Sequence, residues 1–267
     1  MSDSDSTQTY DPTADHHFPD DRLNAVLELI STDREVQAYL GAQNVNPVDR
    51  KGYNDHGRKH IEIVRNRALG LYELLKQAGV SFNGAADQNL KEADESVIVA
   101  LASTLHDIGH VVHRDDHTYY SIMLASDILD RLLDPFYDVS DRVKVKGEIL
   151  HAILCHHSSE EPLTTEAGVI RIADALDMER GRSRIPYEKG GRGINTISSQ
   201  AIERVELLEG DGKPVLVEIT MRNAAGVYQV DGLLKDKLRG SGLEKQVRIV
   251  AVNTTETDDQ LVERIEF

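Results

Sequence analysis

The sequence predicts a mainly helical protein that ends in a small α+β domain. Apolar residues recur at three- and four-residue steps over much of residues 20–182, whereas they alternate at a step of two beyond residue 195. A basic, glycine-rich linker over residues 183–195 separates the two patterns. With 267 residues the chain can form one large or two modest domains, so the size of its core is not limiting.

Residues 1–19 are predicted to form a disordered acidic tail, because they hold no Lys or Arg and show no apolar periodicity. They also lack the charged and apolar leader of a secreted protein. The apolar runs are far shorter than the ~20 residues that a membrane span needs. The single cysteine, Cys155, excludes an internal disulfide. We therefore expect a soluble, cytoplasmic protein.

Helix-period spacing of apolar residues predicts a series of helices in the first part of the chain. One residue of the Ser31-Thr32-Asp33 cluster can cap the second of them, and Gly79 can close the third. Loops are predicted over residues 44–55, which contain Pro47, and over the polar residues 82–94. The predicted helices cover residues 23–30, 34–40, 61–78, 97–108, 121–133, 143–154 and 166–179.

Three segments of the last part alternate as β-strands do: residues 205–207, 215–221 and 247–251. Residues 210–212, Gly-Asp-Gly, supply a hairpin turn between the first two strands. Residues 233–238 are predicted to form a short helix before the third strand.

The net charge of −16, from 46 acidic and 30 basic residues, disfavours binding to the phosphate backbone of a nucleic-acid polymer. We expect neither a nucleic-acid polymer nor a membrane as a partner. An acidic surface of this kind suits a cytoplasm of high salt, because screening removes its self-repulsion. The alternative is an ordinary acidic soluble protein.

Nine of the 11 histidines lie between residues 56 and 157, which marks the helical domain as the seat of the chemistry. His56 and His60 are four residues apart, as are His106 and His110, so each pair is predicted to share a helix face. Asp174 lies in an apolar helical stretch, where an ionised carboxylate is costly unless it is paired or bound to a metal. Together these residues indicate a metal site.

The order His60, then His106 and Asp107, then Asp174 resembles the H…HD…D signature of the HD-domain metal-dependent phosphohydrolases. The segments HGRKHIEIV, LHDIGH and RIADALD each resemble that family's local motifs, and the match spans about residues 53–182. The resemblance implies an HD-domain helical bundle with one or two divalent metals at its centre. It also implies that His60, His106, Asp107 and Asp174 bind the first metal, with Asp107 as the bridge to a second.

HD domains with two metals carry further histidines between the HD pair and the last aspartate, and here these are His117, His156 and His157. The HDIG motif with later paired histidines resembles the cyclic-dinucleotide phosphodiesterases in particular. That subgroup has Lys at the position of His110, and its Gly-Tyr-Pro motif is replaced here by Ser-Ser-Glu-Glu-Pro. The resemblance therefore implies a two-metal centre but not that substrate.

Mixed imidazole and carboxylate ligands suit Mn, Fe, Co, Ni or Zn better than Ca. Two such ions, about 3.5 to 4 Å apart, would ionise a bridging water and neutralise the oxygens of a phosphoryl group. His110 is the candidate general acid for the leaving oxygen, and His113 is a weaker candidate. The alternative for each is a histidine that only orients a ligand.

Residues 180–192 hold five bases and one acid, and they follow the predicted Asp174 helix. Arg180 and Arg182 are therefore candidates to bind substrate phosphates through their guanidinium groups. The alternative is a solvated linker.

The sequence thus predicts a metal-dependent phosphohydrolase for a small phosphomonoester or phosphodiester, with a nucleotide as the favoured class. One alternative is an HD module that senses a nucleotide without turnover, and another is a di-iron oxygenase on the same scaffold. The C-terminal domain carries no catalytic motif, so regulation, dimerisation and substrate selection are all open to it. A homo-oligomer is compatible with its strand edges.

Overall fold

The computed structural model describes residues 21–157, 160–183, 194–254 and 264–266. The predicted fold class is confirmed, because helices fill the first part of the chain and a small sheet with further helical turns forms the last part. The predicted tail over residues 1–19 and most of the linker over residues 183–195 lie outside the described residues. Among the helices that the structure describes, none is both long and apolar enough to cross a membrane.

Eight α-helices precede the linker in the described part of the chain, where the sequence predicted seven. They are α1 (Asp21–Thr32), α2 (Arg34–Ala42), α3 (Arg58–Gln77), α4 (Asn83–Asp87), α5 (Glu92–Leu105), α6 (His117–Leu133), α7 (Val139–Cys155) and α8 (Thr165–Leu176). Asp33 caps α2 as predicted, since its side chain accepts hydrogen bonds from the backbone of Glu35 and Val36. Gly79, just beyond α3, has a φ of 76°, which a glycine adopts without strain.

Several predicted boundaries are wrong. The loop predicted over residues 44–55 contains a π-helical turn, Val45–Arg50, and the connection over residues 82–94 contains α4 and the start of α5. Helices α6 and α7 begin earlier than predicted, and α5 and α8 end earlier. The helix ends were predicted from the first and last apolar residues of each periodic run. The first turn of a helix is often solvated and polar, so apolar periodicity does not reveal it.

Helix α5 is the central helix of the bundle. All of its residues from Asp94 to Leu105 are buried, and it contacts α3, α7 and α8. A helix that is buried on every side must bear apolar or small residues all round, as the sequence VIVALAS does. Helix α5 therefore ends in the middle of the bundle, and the residues that follow Leu105 lie at the centre of the bundle.

The sheet has the strand order β1-β2-β3-β4, with β1 Ile202–Glu209, β2 Val215–Met221, β3 Val247–Asn253 and β4 Arg264–Glu266. Strands β1 and β2 form the predicted antiparallel hairpin, in which Gly212 has a φ of 80°. Strand β3 pairs in parallel with β2 and antiparallel with β4. The sequence prediction missed β4.

Parallel pairing of β2 and β3 requires a crossover connection, because the last residue of β2 and the first residue of β3 lie at opposite ends of the paired strands. The connection is a run of consecutive helical turns: Ala224–Gly226, Val227–Gln229, Val230–Leu234 and Lys235–Arg239. We call these residues the crossover segment. The helix predicted over residues 233–238 lies within it. One more short helix, Ile194–Ser199, precedes β1.

The C-terminal part packs against α8 and the residues that follow it. A Cβ atom on Gly168 of α8 would lie 2.3 Å from the carbonyl oxygen of Ser241, so only glycine permits this approach. One oxygen of Glu179 accepts hydrogen bonds from both Arg67 of α3 and the backbone N–H of Val205 in β1. The buried apolar residues of both parts form one continuous cluster. The division into domains over residues 20–182 and 196–267 stays a prediction.

Gly109 gives a test of how tightly the turn after α5 is packed. A Cβ atom there would lie 2.1 Å from the carbonyl oxygen of His117 and 2.5 Å from the backbone nitrogen of Ser121. Because backbone atoms cannot step aside, we expect Gly109→Ala to lower the free energy of unfolding by about 2 to 4 kcal/mol in urea titrations. Gly147→Ala on the open face of α7 is the control. It should raise that free energy by roughly 0.5 to 1 kcal/mol, and equal effects would contradict the packing argument.

Candidate metal centre

The ends of helices bring imidazoles and carboxylates together in the middle of the bundle. His60 lies in the first turn of α3, His106 directly follows α5, and His117 begins α6. His156 directly follows α7, and Asp174 lies on α8. The histidines are buried, and the side chain of Asp174 is mostly buried.

The HD motif does not continue the helix before it. Helix α5 ends at Leu105, and Ile108–Val111 forms a 3₁₀ turn, so the prediction that His106 and His110 share an α-helix face is wrong. In a 3₁₀ turn, side chains three residues apart are eclipsed. His110 Nε2 therefore lies 3.4 Å from Asp107 Oδ1. His56 likewise precedes α3, although its ring centroid lies 5.6 Å from that of His60.

The carboxylate of Asp107 lies between two groups of imidazoles. Its Oδ2 atom is 3.3 Å from His60 Nε2 and 3.5 Å from His106 Nε2. Its Oδ1 atom is 3.4 Å from His117 Nε2 and 3.6 Å from His156 Nε2. An aspartate with one oxygen toward each group is arranged as a bridging ligand would be.

Asp174 belongs to the first of these groups. Its Oδ1 atom is 3.6 Å from His60 Nε2 and 3.9 Å from His106 Nε2. The ligand atoms of His60, His106 and Asp174 all lie within 4.8 Å of one another, and so do those of His106, Asp107 and His156. A third such group comprises His56, Asp107 and His110.

The other ring nitrogen of each histidine holds its ring in place. Nδ1 of His60 lies 2.6 Å from Asp177 Oδ2, and Nδ1 of His106, His117 and His156 lies 2.7, 3.0 and 2.6 Å from a backbone carbonyl oxygen. A carbonyl oxygen only accepts, so Nδ1 carries the proton in those three rings, and the carboxylate of Asp177 favours the same tautomer of His60. Each Nε2 therefore presents a lone pair to the interior, which is the form that binds a metal.

These lone pairs face one another at short range. His60 Nε2 and His106 Nε2 are 3.3 Å apart, and His117 Nε2 and His156 Nε2 are 3.2 Å apart. Oδ2 of Asp107 and both ring nitrogens of His110 are buried without a hydrogen-bond partner. Buried acceptors are costly unless a proton or a cation satisfies them. The donor set therefore fits divalent transition metals on both sides of Asp107.

The protonation states of these histidines and of Asp107 also favour metal binding. Burial lowers the pKa of His106 to about 4 and that of His117 to about 2, so both rings are neutral near pH 7. Burial alone would raise the pKa of Asp107, but His106 and His110 hold that pKa well below its usual value. Neutral imidazoles around an ionised carboxylate can take up a metal without first losing protons.

A cavity of about 670 Å³ opens onto this centre. His117, His156 and Asp174 line it on one side, and Thr196 and Lys237 contribute to its wall from the C-terminal part. A volume between about 300 and 1,000 Å³ is typical of sites for small organic ligands. The sequence of the C-terminal part indicated no particular role for it. In the structure, this part forms one wall of the candidate site.

The remaining predicted residues lie in different places. His110 is wholly buried, and His157 is partly buried on the cavity wall with its ring centroid 5.6 Å from that of His117. Arg180 lines a separate depression that also includes Arg222, and the side chain of Arg182 lies outside the described residues. General-acid chemistry for His110, metal binding for His157 and phosphate binding for the two arginines stay predictions.

Sequence reasoning missed two side chains that touch the ligand set. Asp177 contacts Nδ1 of His60. The sequence shows this residue as a second carboxylate three positions after Asp174, which could have identified it. Lys237 Nζ lies 3.0 Å from Asp174 Oδ2 and 2.5 Å from the carbonyl oxygen of His156. No sequence signal links Lys237 to residues that lie more than 60 positions earlier.

Comparison with known proteins agrees with this geometry. The HD domain family matches residues 64–179. An uncharacterized protein of Methanocaldococcus jannaschii, MJ1020, is 40% identical over 224 residues, which are 84% of this chain and 86% of that protein. Ribonuclease Y of Desulforudis audaxviator is 34% identical over 165 residues, and that of Thermoanaerobacter pseudethanolicus is 29% identical over 136. Those matches cover 61% and 51% of this chain, but only 30% and 21% of the two ribonucleases.

The chain belongs to the HD-domain superfamily, whose members are typically metal-dependent phosphohydrolases that bind divalent metals. The predicted family is thereby confirmed, and the His and Asp clusters of the bundle are compatible with metal binding.

Substitution of the ligands tests the metal centre. We expect His106→Ala and Asp107→Ala to lose bound metal while keeping most helicity, because both residues lie beyond the end of α5, whose own packing is apolar. His117→Ala should lose one metal of two, since it faces only Oδ1 of Asp107. Elemental analysis and circular dichroism measure both properties. Full metal content in the His106 and Asp107 variants would contradict the assignment, and an unchanged count would remove His117 from it.

The buried histidines predict how the metal-free protein responds to acid. Unfolding frees their rings to bind protons near pH 6.5, whereas the folded protein resists protonation until about pH 4 at His106. The unfolded state thus binds more protons in this window, so the free energy of unfolding falls as pH drops from 6.5 toward 4. Urea titrations with a chelator should show this slope. His117→Gln should make the slope shallower, because it removes one of the buried rings whose pKa is lowered.

Proposed function

We propose that this protein is a metal-dependent phosphohydrolase that cleaves a phosphomonoester or phosphodiester of a small molecule, with a nucleotide as the favoured class. The observation that carries the proposal is the position of the Asp107 carboxylate. A pair of imidazoles lies on each side of it, and it lines the cavity. Divalent metals held there would supply an ionised water and neutralise phosphoryl oxygens.

The protein itself contributes orientation and charge. The Nδ1 contacts keep each Nε2 lone pair directed inward, and the low pKa of Asp107 keeps its carboxylate ionised over the working pH range. Tyr53 and Leu233 are partly exposed and line the same cavity, where they offer apolar surface to the organic part of a substrate. A nucleoside would suit such a wall, and this supports the choice of nucleotide.

His110 stays the proposed general acid, although it does not line the described cavity. Its two unpartnered nitrogens, next to Asp107, also suit a metal ligand. His110→Gln separates the two roles. Loss of an acid should keep the metal content and slow esters with poor leaving groups most, whereas loss of a ligand should lower the metal content.

The names of the Ribonuclease Y relatives make RNA a substrate to include in the test. The match covers less than a third of those proteins, and the net charge of −16 disfavours a long polyanion. A small phosphate ester therefore remains the favoured class.

The experiment is turnover by metal-loaded protein on an aryl phosphate, a bis-aryl phosphate, nucleoside mono- and diphosphates and an RNA oligonucleotide. We expect hydrolysis of at least one small ester. Asp107→Asn should reduce it by more than about 100-fold, because it removes the charge between the two imidazole groups. Asp130→Asn, on the surface of α6, is the matched control and should retain activity.

Other outcomes point to the alternatives. Nucleotide binding without product release would favour the sensing module. Consumption of oxygen by an iron-loaded protein that hydrolyses no ester would favour the di-iron oxygenase.

A further inference from the structure

Besides Lys51, which pairs with Asp115, two cations that the metal centre does not use line the cavity. Arg114 lies in the turn before α6, and Lys237 lies on the last helical turn of the crossover segment. Arg114 Nη1 is 3.5 Å from Nδ1 of His117, and Lys237 Nζ is 2.5 Å from the carbonyl oxygen of His156. The Nε2 atoms of these two histidines are 3.2 Å apart. The two cations therefore lie close to the same pair of candidate ligands.

Arg114 has no carboxylate partner among the residues that the structure describes. Its Nη1 atom is 3.5 Å from His117 Nδ1, and its guanidinium carbon is 5.4 Å from the ring centroid of Tyr53. Its Nε atom is buried without a hydrogen-bond partner. In a chain with a net charge of −16, a partly buried arginine without an acidic partner is unusual, and an anionic ligand would satisfy it.

Lys237 stands beside the ligand set itself. Its ammonium group contacts Oδ2 of Asp174, whose Oδ1 faces His60 and His106. Asp174 is also a candidate metal ligand, so its one negative charge would be shared with a bound cation, and Lys237 would keep positive charge to offer the cavity. Its side chain is 16% exposed, which limits screening by water.

We propose that Arg114 and Lys237 form a subsite for a second phosphoryl group of the substrate, next to the one that is hydrolysed. The inference rests on the proposed function. Lys237 contacts Asp174, and Arg114 lies next to His117, so an anion bound by both cations would adjoin a phosphoryl group at the metals. Neighbouring phosphoryl groups of this kind occur in nucleoside diphosphates and other phosphoanhydrides. The substrate class is therefore a molecule with at least two adjacent phosphates.

The test compares ADP with AMP, because the two differ by one phosphate. We expect Arg114→Gln and Lys237→Met each to raise the KM for ADP about tenfold and to leave the KM for AMP within about twofold, which is the size of one charge-assisted contact. Lys237→Arg should retain most of the ADP preference, because it keeps the charge. The metal content of every variant is measured, since Lys237 contacts a candidate ligand.

Matched controls come from α7. Lys146 is 17% exposed, with Nζ 2.8 Å from Asp130, and Arg142 is 20% exposed beside Asp134. Lys146→Met and Arg142→Gln remove a similar charge from a similar environment outside the cavity. Both should leave the KM values for ADP and AMP unchanged.

Calorimetric binding of AMP and of the methylene analogue of ADP to metal-loaded protein adds a readout that does not need turnover. If both variants weaken the analogue and not AMP, the subsite is supported, even where neither nucleotide is hydrolysed and the proposed function fails. If the variants weaken both ligands equally, or neither, the subsite is overturned, and hydrolysis of AMP or ADP would still support the proposed function.

Discussion

A single buried carboxylate organises the helical part of this protein. Asp107 is buried among imidazoles, and both of its oxygens lie within 3.6 Å of Nε2 atoms. An ionised carboxylate in a protein interior is very costly unless opposite charge or hydrogen bonds compensate for it. The chain meets that requirement by ending α5, starting α6 and ending α7 around the same point. The centre is thus a polar core inside an apolar bundle, and its inward-facing lone pairs suit bound cations.

The geometry of that core depends on a tight turn. The 3₁₀ turn Ile108–Val111 follows the HD pair at once, and the backbone of Gly109 packs against the first turn of α6. The N–H of Gly109 also donates to the hydroxyl of Ser121. This contact fixes the distance between the end of α5 and His117 at the start of α6. Backbone packing therefore holds the two pairs of imidazoles on opposite sides of one aspartate. Backbone atoms cannot adjust their positions as side chains do.

The C-terminal part gives the centre its specific surroundings. The crossover segment exists because β2 and β3 run parallel, and it places Lys237 against Asp174 and His156. Gly168 of α8, the helix that carries Asp174, packs against the backbone of Ser241, and Glu179 beyond that helix accepts a hydrogen bond from Val205 of β1. The C-terminal part thus contributes to the cavity wall, and its Lys237 places a positive charge next to a candidate ligand.

The sequence by itself determined the fold class and the superfamily, and it supplied the candidate ligands as a prediction. Helical and strand periods, the hairpin at Gly212 and the clustering of histidines reflect local spacing, which the sequence displays directly. Only the tertiary structure decided that the HD pair lies beyond the end of a helix, that Asp177 fixes the ring of His60, and that Arg114 and Lys237 share a cavity. These features depend on contacts between residues far apart in the chain. Such contacts follow from packing between elements, and no local pattern encodes them.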